Sequence, residues 1–398
     1  MRMRSLSFLC AGFALALAAV ACSSSKSNGN AGSGGSSGAG GAATGGSAGS
    51  TTGGSGGSSA GGSGGASGGS GGSSGAGAGG TAGSGAGGAA GAGGTGSGGT
   101  AGTGGTGGST SLPTVGGCNV FTGADDWNKD ISGEAVDATW TQHIHNIVGS
   151  KNIHPDYGGQ GQYGIPINVV PASQPKVPIT FDQYASESDP GPYPFPSPAT
   201  AKIEGGTPTN CSGDCHMIVV QQGACMLYEG WACGYKNGGW VCGNGAKWDL
   251  TKLSYGQRPT GWTSADAAGL PIMPGLLRWS EVKAGVVKHA IRFTMHCSMN
   301  KYVKPATHFA ATGSCGADAP PMGLRVRLEA SYDISGFPTD AKVILTAMKK
   351  YGMILADNGS DFYFQGDADP NWSDNGITPL KSVPASAFEV VTLPPLQP

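Results

Sequence analysis

The stretch HMIVVQQGACMLYEGWACGYKNGGWVCGNGAKWDL, residues 216–250, decides the fold. It holds three short apolar or aromatic runs, at 216–222, 225–233 and 245–250, which glycine and asparagine separate. Runs of this length bounded by turn residues are typical of β-strands. Residues 237–245 are rich in turn formers and link two of the runs. We therefore predict successive antiparallel strands here.

Further strands and one helix follow toward the C-terminus. Residues 289–295 and 323–332 alternate between apolar and polar positions, as strands with one buried face do. Residues 339–352 predict a helix with Thr339 or Asp340 as its cap. Residues 353–356 and 362–365 predict two short strands around a turn at Asn358 and Gly359. Proline-rich residues 158–208 predict long loops. We predict a mainly β fold, a β-sandwich or jelly roll, with one clear helix and long loops.

Composition divides the chain into three parts. Residues 1–22 have two arginines, an apolar run and small residues before Cys22, the pattern of a lipoprotein signal peptide. Residues 23–110 are almost entirely Gly, Ser, Ala and Thr, which predicts a disordered tether. Residues 111–398 are long enough for one β-rich globular domain. The chain is expected to be exported and anchored to the outer membrane or cell surface by lipid on Cys22, with plain secretion as the alternative.

Eight cysteines remain when Cys10 and Cys22 of the leader are set aside. An even number in an exported protein predicts disulfides, and eight cysteines allow 105 connectivities. Pairing near neighbours favours Cys211–Cys215, Cys233–Cys242 and Cys297–Cys315, which leaves Cys118–Cys225. A metal site at 211–216 is the alternative, but no second pair of ligands stands nearby.

Long motifs of the domain resemble a family of exported bacterial proteins of unknown function. They are HMIVVQQGACMLYEGW (216–231), GWTSADAAGLPIMPGLLRWSEVKAGVVKHAIRFT (261–294), PPMGLRVRLEASYDISGF (320–337) and YGMILADNGSDFYFQGDADPNW (351–372). The resemblance covers the whole domain, from Asp125 to near Val391, and implies export and a single compact domain, without implying an activity. Cys215 stands where the family suggests an arginine, which hints at an extra local disulfide.

Carboxylates beside aromatic residues are the first candidates for chemistry, because the sequence has no nucleophile elbow, zinc-protease, phosphate-loop or dinucleotide motif. Glycoside hydrolysis needs two carboxyl groups and aromatic surfaces for sugar rings. Glu229, Asp249 and Asp266 lie in an aromatic part of the chain. Asp266 also belongs to a proline-containing stretch, 261–279, that predicts a rigid loop. A purely structural role for Glu229 and Asp266 is the competing interpretation. The aromatic residues are Tyr228, Trp231, Trp240, Trp248, Trp262 and Trp279.

Histidines and acidic turns supply further candidates. His216, His289 and His308 adjoin the long motifs, and a histidine near an acid could transfer protons in a polysaccharide lyase. His143 and His145 would point to one side of an extended segment as a metal pair. Residues 367–371 have the spacing of an irregular calcium loop. We expect structural roles for most of these residues and predict no metal or cofactor.

The sequence therefore predicts a surface-tethered domain that acts on extracellular polysaccharide, through glycoside hydrolysis by paired carboxylates. The predicted catalytic residues are Glu229, Asp266 and His289, and the predicted substrate-binding residues are Trp262, Trp279, Tyr228 and Trp240. A non-catalytic module for glycan binding or adhesion is the alternative, and a lyase is the third. The expected partners are polysaccharide and, through Cys22, the membrane. The net charge of −2 argues against nucleic acid, and we expect a monomer.

Overall fold

Two main β-sheets share one apolar core in the computed structural model, which describes residues 111–398. The α-helices are α1 (Ala138–Val148), α2 (Trp279–Lys283), α3 (Thr339–Lys350) and α4 (Asp374–Ile377). Short 3₁₀ turns occur at Gly159–Gly161, Ala185–Glu187, Met273–Gly275, Gly316–Asp318, Thr378–Ser382 and Ala385–Ala387. The strands are β1 (Thr114–Val115), β2 (Cys118–Asn119), β3 (His154–Asp156), β4 (Ile167–Val170), β5 (Ile179–Phe181), β6 (Gly206–Thr207), β7 (Asn210–Cys211), β8 (Met217–Gln221), β9 (Met226–Trp231), β10 (Gly234–Lys236), β11 (Gly239–Cys242), β12 (Asn244–Asp249), β13 (Ile291–Met295), β14 (Arg325–Leu328), β15 (Met353–Asn358), β16 (Tyr363–Gln365) and β17 (Phe388–Val390). The predicted mainly β class is confirmed.

The four-stranded sheet has the order β12-β9-β8-β4, and its strand β8 is buried on both faces. Its three predicted strands pair antiparallel, which confirms the sequence interpretation. Along β8, Ile218 and Val220 face the main core, whereas Met217 and Val219 face a second core. A strand buried on both faces requires a continuous apolar run, as the sequence shows here. The prediction of loops alone for residues 158–208 is wrong in part, because β4 adds to this sheet in parallel with β8.

The six-stranded sheet has the order β17-β14-β15-β13-β16-β3. It contributes buried apolar residues from the C-terminal half of the chain to the main core. The two short strands predicted at 353–356 and 362–365 are present as β15 and β16, but they do not pair with each other, because β13 lies between them and pairs with both. The connecting loop crosses the end of β13, where the Gly359 N–H donates to the Met295 carbonyl. Strand β13, which comes earlier in the chain, thus forms the backbone hydrogen bonds that β15 and β16 would otherwise form with each other. A three-stranded sheet, β10-β11-β5, and two hairpins complete the β structure of the described residues.

Helix α3 has the predicted apolar face, with Ala341, Ile344, Leu345 and Met348 buried. The predicted cap is wrong, since Thr339 and Asp340 are already helical. Pro338 precedes the first turn without a side-chain capping bond. Proline is tolerated at a helix start because the first N–H groups have no partner inside the helix.

Helix α1 replaces the extended segment predicted around the two histidines. The Asp137 side chain accepts a hydrogen bond from the Trp140 N–H and caps the helix. His143 contacts the Asp318 carboxylate at 2.6 Å, whereas His145 contacts the Phe388 carbonyl oxygen at 2.9 Å. Residues two apart on a helix point in different directions, so the candidate metal pair of His143 and His145 does not form.

Four disulfides join the pairs that near-neighbour spacing favours. They are Cys118–Cys225, Cys211–Cys215, Cys233–Cys242 and Cys297–Cys315. Disulfides persist in oxidising compartments, so their number is consistent with an extracellular environment. Within residues 111–398, no helix has the length and apolar character needed to span a membrane. The predictions for 1–22, for lipid on Cys22 and for the tether at 23–110 lie outside the described residues.

Candidate functional site

A buried ion pair between Arg292 and Asp266 lies at the centre of the candidate site. Arg292 extends from β13, and Asp266 belongs to the loop that follows Trp262. The Nε and Nη2 atoms of Arg292 donate to the two Asp266 oxygens at 3.0 and 2.7 Å. Both side chains are buried, and this two-point geometry is the strongest that arginine and a carboxylate form. The ion pair therefore ties the loop to the six-stranded sheet.

The loop around Asp266 is rigid because its short side chains bind its own backbone. The Ser264 hydroxyl lies 3.0 Å from the Asp266 carbonyl oxygen and 2.5 Å from that of Leu270, and the Asp266 N–H donates to Ser264 Oγ at 2.9 Å. Small polar residues favour such local bonds. These bonds and the ion pair explain why this stretch has neither helical nor strand periodicity.

Polar groups extend from the ion pair to the protein surface. Arg292 Nη1 donates to the Gln365 side chain at 2.8 Å, and Nη2 lies 3.9 Å from an Asp357 oxygen. The Asp357 side chain is 19% exposed. Gln365 is the register partner of Asp156, and Asp156 is exposed. Asp357 and Asp156 are thus two carboxylates near this buried cation that solvent can reach.

His216 and Glu204 form a second ion pair against the same loop. His216 Nδ1 lies 2.5 Å from a Glu204 oxygen, and Nε2 lies 3.1 Å from the Ala265 carbonyl oxygen. Burial favours the neutral imidazole, but the Glu204 carboxylate outweighs this and raises the pKa of His216 to about 9. We name the Arg292 cluster as Arg292, Asp266, Gln365, Asp357, Asp156, His216, Glu204 and Glu229.

Two carboxyl groups of the Arg292 cluster are strongly perturbed. Burial raises the pKa of Glu229 to about 7, although the N–H groups of Ile272 and Met273 oppose this. Those N–H groups donate to Glu229 at 2.8 to 3.0 Å. Burial and the like charge of Asp266 raise the pKa of Asp357 to about 7, against the attraction of Arg292. Of the two carboxyl groups, only that of Asp357 is partly exposed.

The predicted acid pair requires a correction, because the structure closes both residues to solvent. Glu229 and Asp266 belong to the same cluster, yet each is buried and fully engaged by N–H groups or by Arg292. Buried groups without access cannot transfer a proton to a polysaccharide. His289 is also buried, and its Nε2 contacts Glu281 at 3.0 Å. These three residues hold the structure together.

The predicted aromatic surface is dispersed. Tyr228 and Trp240 are buried in the second core and are therefore not available to substrate. Trp262 is half-buried under Arg258, and Trp279 is half-buried against Trp372, with ring centroids 5.5 Å apart. The six-residue aromatic group of the sequence does not form one groove.

Residues that the sequence interpretation missed stand at the exposed side of the Arg292 cluster. Asp357 and Asp156 each occur near the end of a short strand, which was the available signal. Trp231 is half-buried, and its Nε1 donates to Asp214 at 3.4 Å. Asp214 lies close enough to contribute to the raised pKa of Asp357. Their proximity depends on pairing between distant strands, which local patterns do not reveal.

Metal ligation has little support in residues 111–398. One group of metal-type side chains comes together there, His296 with Cys297 and Cys315, and its two sulfurs are bonded to each other. In the predicted calcium turn, Asp367 accepts hydrogen bonds from the Trp279 backbone N–H and the Trp372 ring. Hydrogen-bond donors of the protein thus already occupy the Asp367 carboxylate.

The shifted groups predict that the domain loses stability as pH rises from about 5 to 9. The folded pKa values of Glu229 and Asp357 are about 7, above their ordinary values of 4.5 and 3.8, and that of His216 is about 9 against 6.5. The folded protein therefore retains protons that the unfolded chain releases, first on the carboxyls and then on the histidine. Each unit of displacement corresponds to about 1.4 kcal/mol.

Urea unfolding at pH 5, 7 and 9 measures this dependence. His154, whose pKa burial lowers, opposes it. His216→Gln should remove the part of the decline above pH 6.5. A free energy of unfolding that stays constant or rises between pH 5 and 9 would contradict the raised pKa values of these groups.

Comparison of the chain with models of protein families, with curated proteins and with solved structures finds no match.

Proposed function

We propose that the domain hydrolyses glycosidic bonds of extracellular polysaccharide, with Asp357 as proton donor and Asp156 as the second carboxylate. One observation carries this proposal. Asp357 is a partly exposed carboxylate held 3.9 Å from Arg292, whose guanidinium already pairs with buried Asp266. The reaction class is the one expected from the sequence. The proposed catalytic carboxyl groups are now Asp357 and Asp156 in place of buried Glu229 and Asp266.

The environment of Asp357 suits a general acid. A glycosidase needs a carboxyl group that is still protonated near neutral pH when it meets the leaving oxygen. Burial and the negative charge of Asp266 raise the pKa of Asp357 to about 7. Arg292 keeps this shift from growing larger and fixes the position of Asp266.

The second carboxylate and Tyr363 lie on the neighbouring strands β3 and β16. Asp156 ends β3, and its exposure suits a base that acts through water or a nucleophile. Tyr363 pairs in register with His154, and their rings stack at 4.1 Å. Half-buried Tyr363 and Trp231 are the aromatic residues that we assign to sugar contact. We further propose that lipid on Cys22 and residues 23–110 hold the domain at the cell surface.

A panel of neutral, basic and acidic polysaccharides tests the reaction class. We expect new reducing ends from at least one polysaccharide, without absorbance from unsaturated products. Unsaturated products would instead indicate a lyase. Saturable binding without either product across the panel would overturn hydrolysis and leave the glycan-binding module.

A further inference from the structure

The disulfide between Cys297 and Cys315 lies beside a histidine that a carboxylate orients. His296 Nε2 lies 3.4 Å from the Cys315 sulfur, and its Nδ1 lies 2.8 and 2.9 Å from the two oxygens of Asp361. The His296 backbone N–H also donates to Asp361 at 3.0 Å. A neutral imidazole that donates through Nδ1 has an unprotonated Nε2. The nitrogen facing the sulfur is therefore a proton acceptor.

The two sulfurs of this disulfide differ in access. Cys297 is completely buried, whereas Cys315 is half-buried next to His296, whose side chain is 45% exposed. The other three disulfides, all in the described part of the chain, have no histidine ring nitrogen in contact with a sulfur. An accessible sulfur beside a base, bonded to a buried sulfur, is the arrangement that thiol–disulfide exchange requires.

We propose that Cys315 and Cys297 form a thiol–disulfide exchange site, with Cys315 as the sulfur that is attacked, Cys297 as the leaving sulfur and His296 as the proton carrier. The site lies at the end of β13 and uses none of the residues assigned to glycan hydrolysis. Its co-reactant is a thiol of low molecular weight or an exposed thiol of another protein.

The exchange proceeds in two balanced steps. His296 Nε2 takes the proton of the incoming thiol, and the thiolate attacks Cys315 Sγ. The bond between the protein sulfurs breaks, and its electron pair leaves with Cys297, which becomes a thiol by taking a proton. A second thiolate then attacks the external sulfur of the mixed disulfide and releases Cys315 as a thiolate beside protonated His296. Two thiols become one disulfide, and the protein disulfide gains two electrons and two protons.

Charged side chains surround His296 and Cys315. Asp361 faces Nδ1, and its second oxygen also binds Lys151 at 2.5 Å. Asp318, in the turn after the reacting cysteine, is paired with His143. An adjacent imidazolium stabilises a thiolate and lowers its pKa below the ordinary value of about 8.5.

Limited reduction of the full chain with dithiothreitol, followed by iodoacetamide labelling and peptide mapping, tests the site. We expect Cys315 to be labelled first, while the buried Cys233–Cys242 disulfide stays intact. In the reduced protein, the pH midpoint for Cys315 alkylation should lie below about 8.5. His296→Gln should raise that midpoint and lower the labelling rate at pH 6.5 about tenfold, the change that one pKa unit produces.

His308→Gln is the matched control, because His308 lies in the same connecting loop and its ring contacts the Ala267 carbonyl oxygen, away from any cysteine sulfur. It should leave the alkylation midpoint unchanged. Asp361→Asn keeps the histidine but weakens its orientation, and should shift the midpoint partway if His296→Gln fails to fold. Labelling of Cys315 no faster than that of the other cysteines, or a midpoint that His296→Gln and Asp361→Asn both leave unchanged, would overturn the proposal.

Discussion

Replacing Arg292 with methionine is expected to lower the free energy of unfolding by about 3–5 kcal/mol. The Asp266 carboxylate would remain buried without the guanidinium that now binds both of its oxygens. Asp357 would lose the same attraction, which should raise its pKa further. Urea unfolding at pH 7, followed by tryptophan fluorescence, measures the loss.

Arg327→Met is the matched comparison, because Arg327 pairs with Glu389 at 2.7 Å where both side chains retain some exposure. Solvent can replace part of that interaction, so its loss should be smaller. Adding Asp266→Asn to Arg292→Met should recover part of the stability, because it removes the buried and unpaired charge of the Asp266 carboxylate. Equal losses for Arg292→Met and Arg327→Met would contradict the central role of the buried pair.

Replacing Asp357 with asparagine is expected to lower polysaccharide turnover by about 10²–10⁴-fold, the usual contribution of a general acid. The amide keeps the size of the side chain but has no proton of suitable acidity. In the unmodified protein, turnover should decline as pH rises above about 7, because the carboxyl group with that pKa loses its proton. Initial rates of reducing-end release, measured from pH 5 to 9, test both effects.

Asp249→Asn serves as the control, because Asp249 caps Thr251 and pairs with Lys252 outside the Arg292 cluster. It should leave turnover unchanged. Polysaccharide binding should persist in Asp357→Asn, because this substitution leaves the aromatic residues assigned to sugar contact unchanged. Unaltered turnover in a folded Asp357→Asn protein would show that Asp357 is not the general acid. Loss of polysaccharide binding alone would indicate that Asp357 serves in recognition.

Local spacing alone was sufficient for the strands between 216 and 250, for the apolar face of α3 and for the disulfide pairs. The strands and the helix face follow from the periodicity of residues close in sequence. Three of the disulfides follow from the short separation of their cysteines. The Cys118–Cys225 disulfide spans 107 residues, yet it followed because the other cysteines had nearer partners. Residues 111–398 were likewise separable by composition, since only they contain enough apolar side chains to form a core.

Tertiary structure alone decided the order of the six-stranded sheet and the composition of the site. Insertion of β13 between β15 and β16 sets Arg292 beside Asp357, and the loop from Asp266 completes the contact. Because these partners come from distant parts of the chain, no local pattern distinguishes buried Asp266 from partly exposed Asp357. Whether a carboxylate is available for chemistry depends on desolvation and neighbouring charge, which exist only once the sheets have packed.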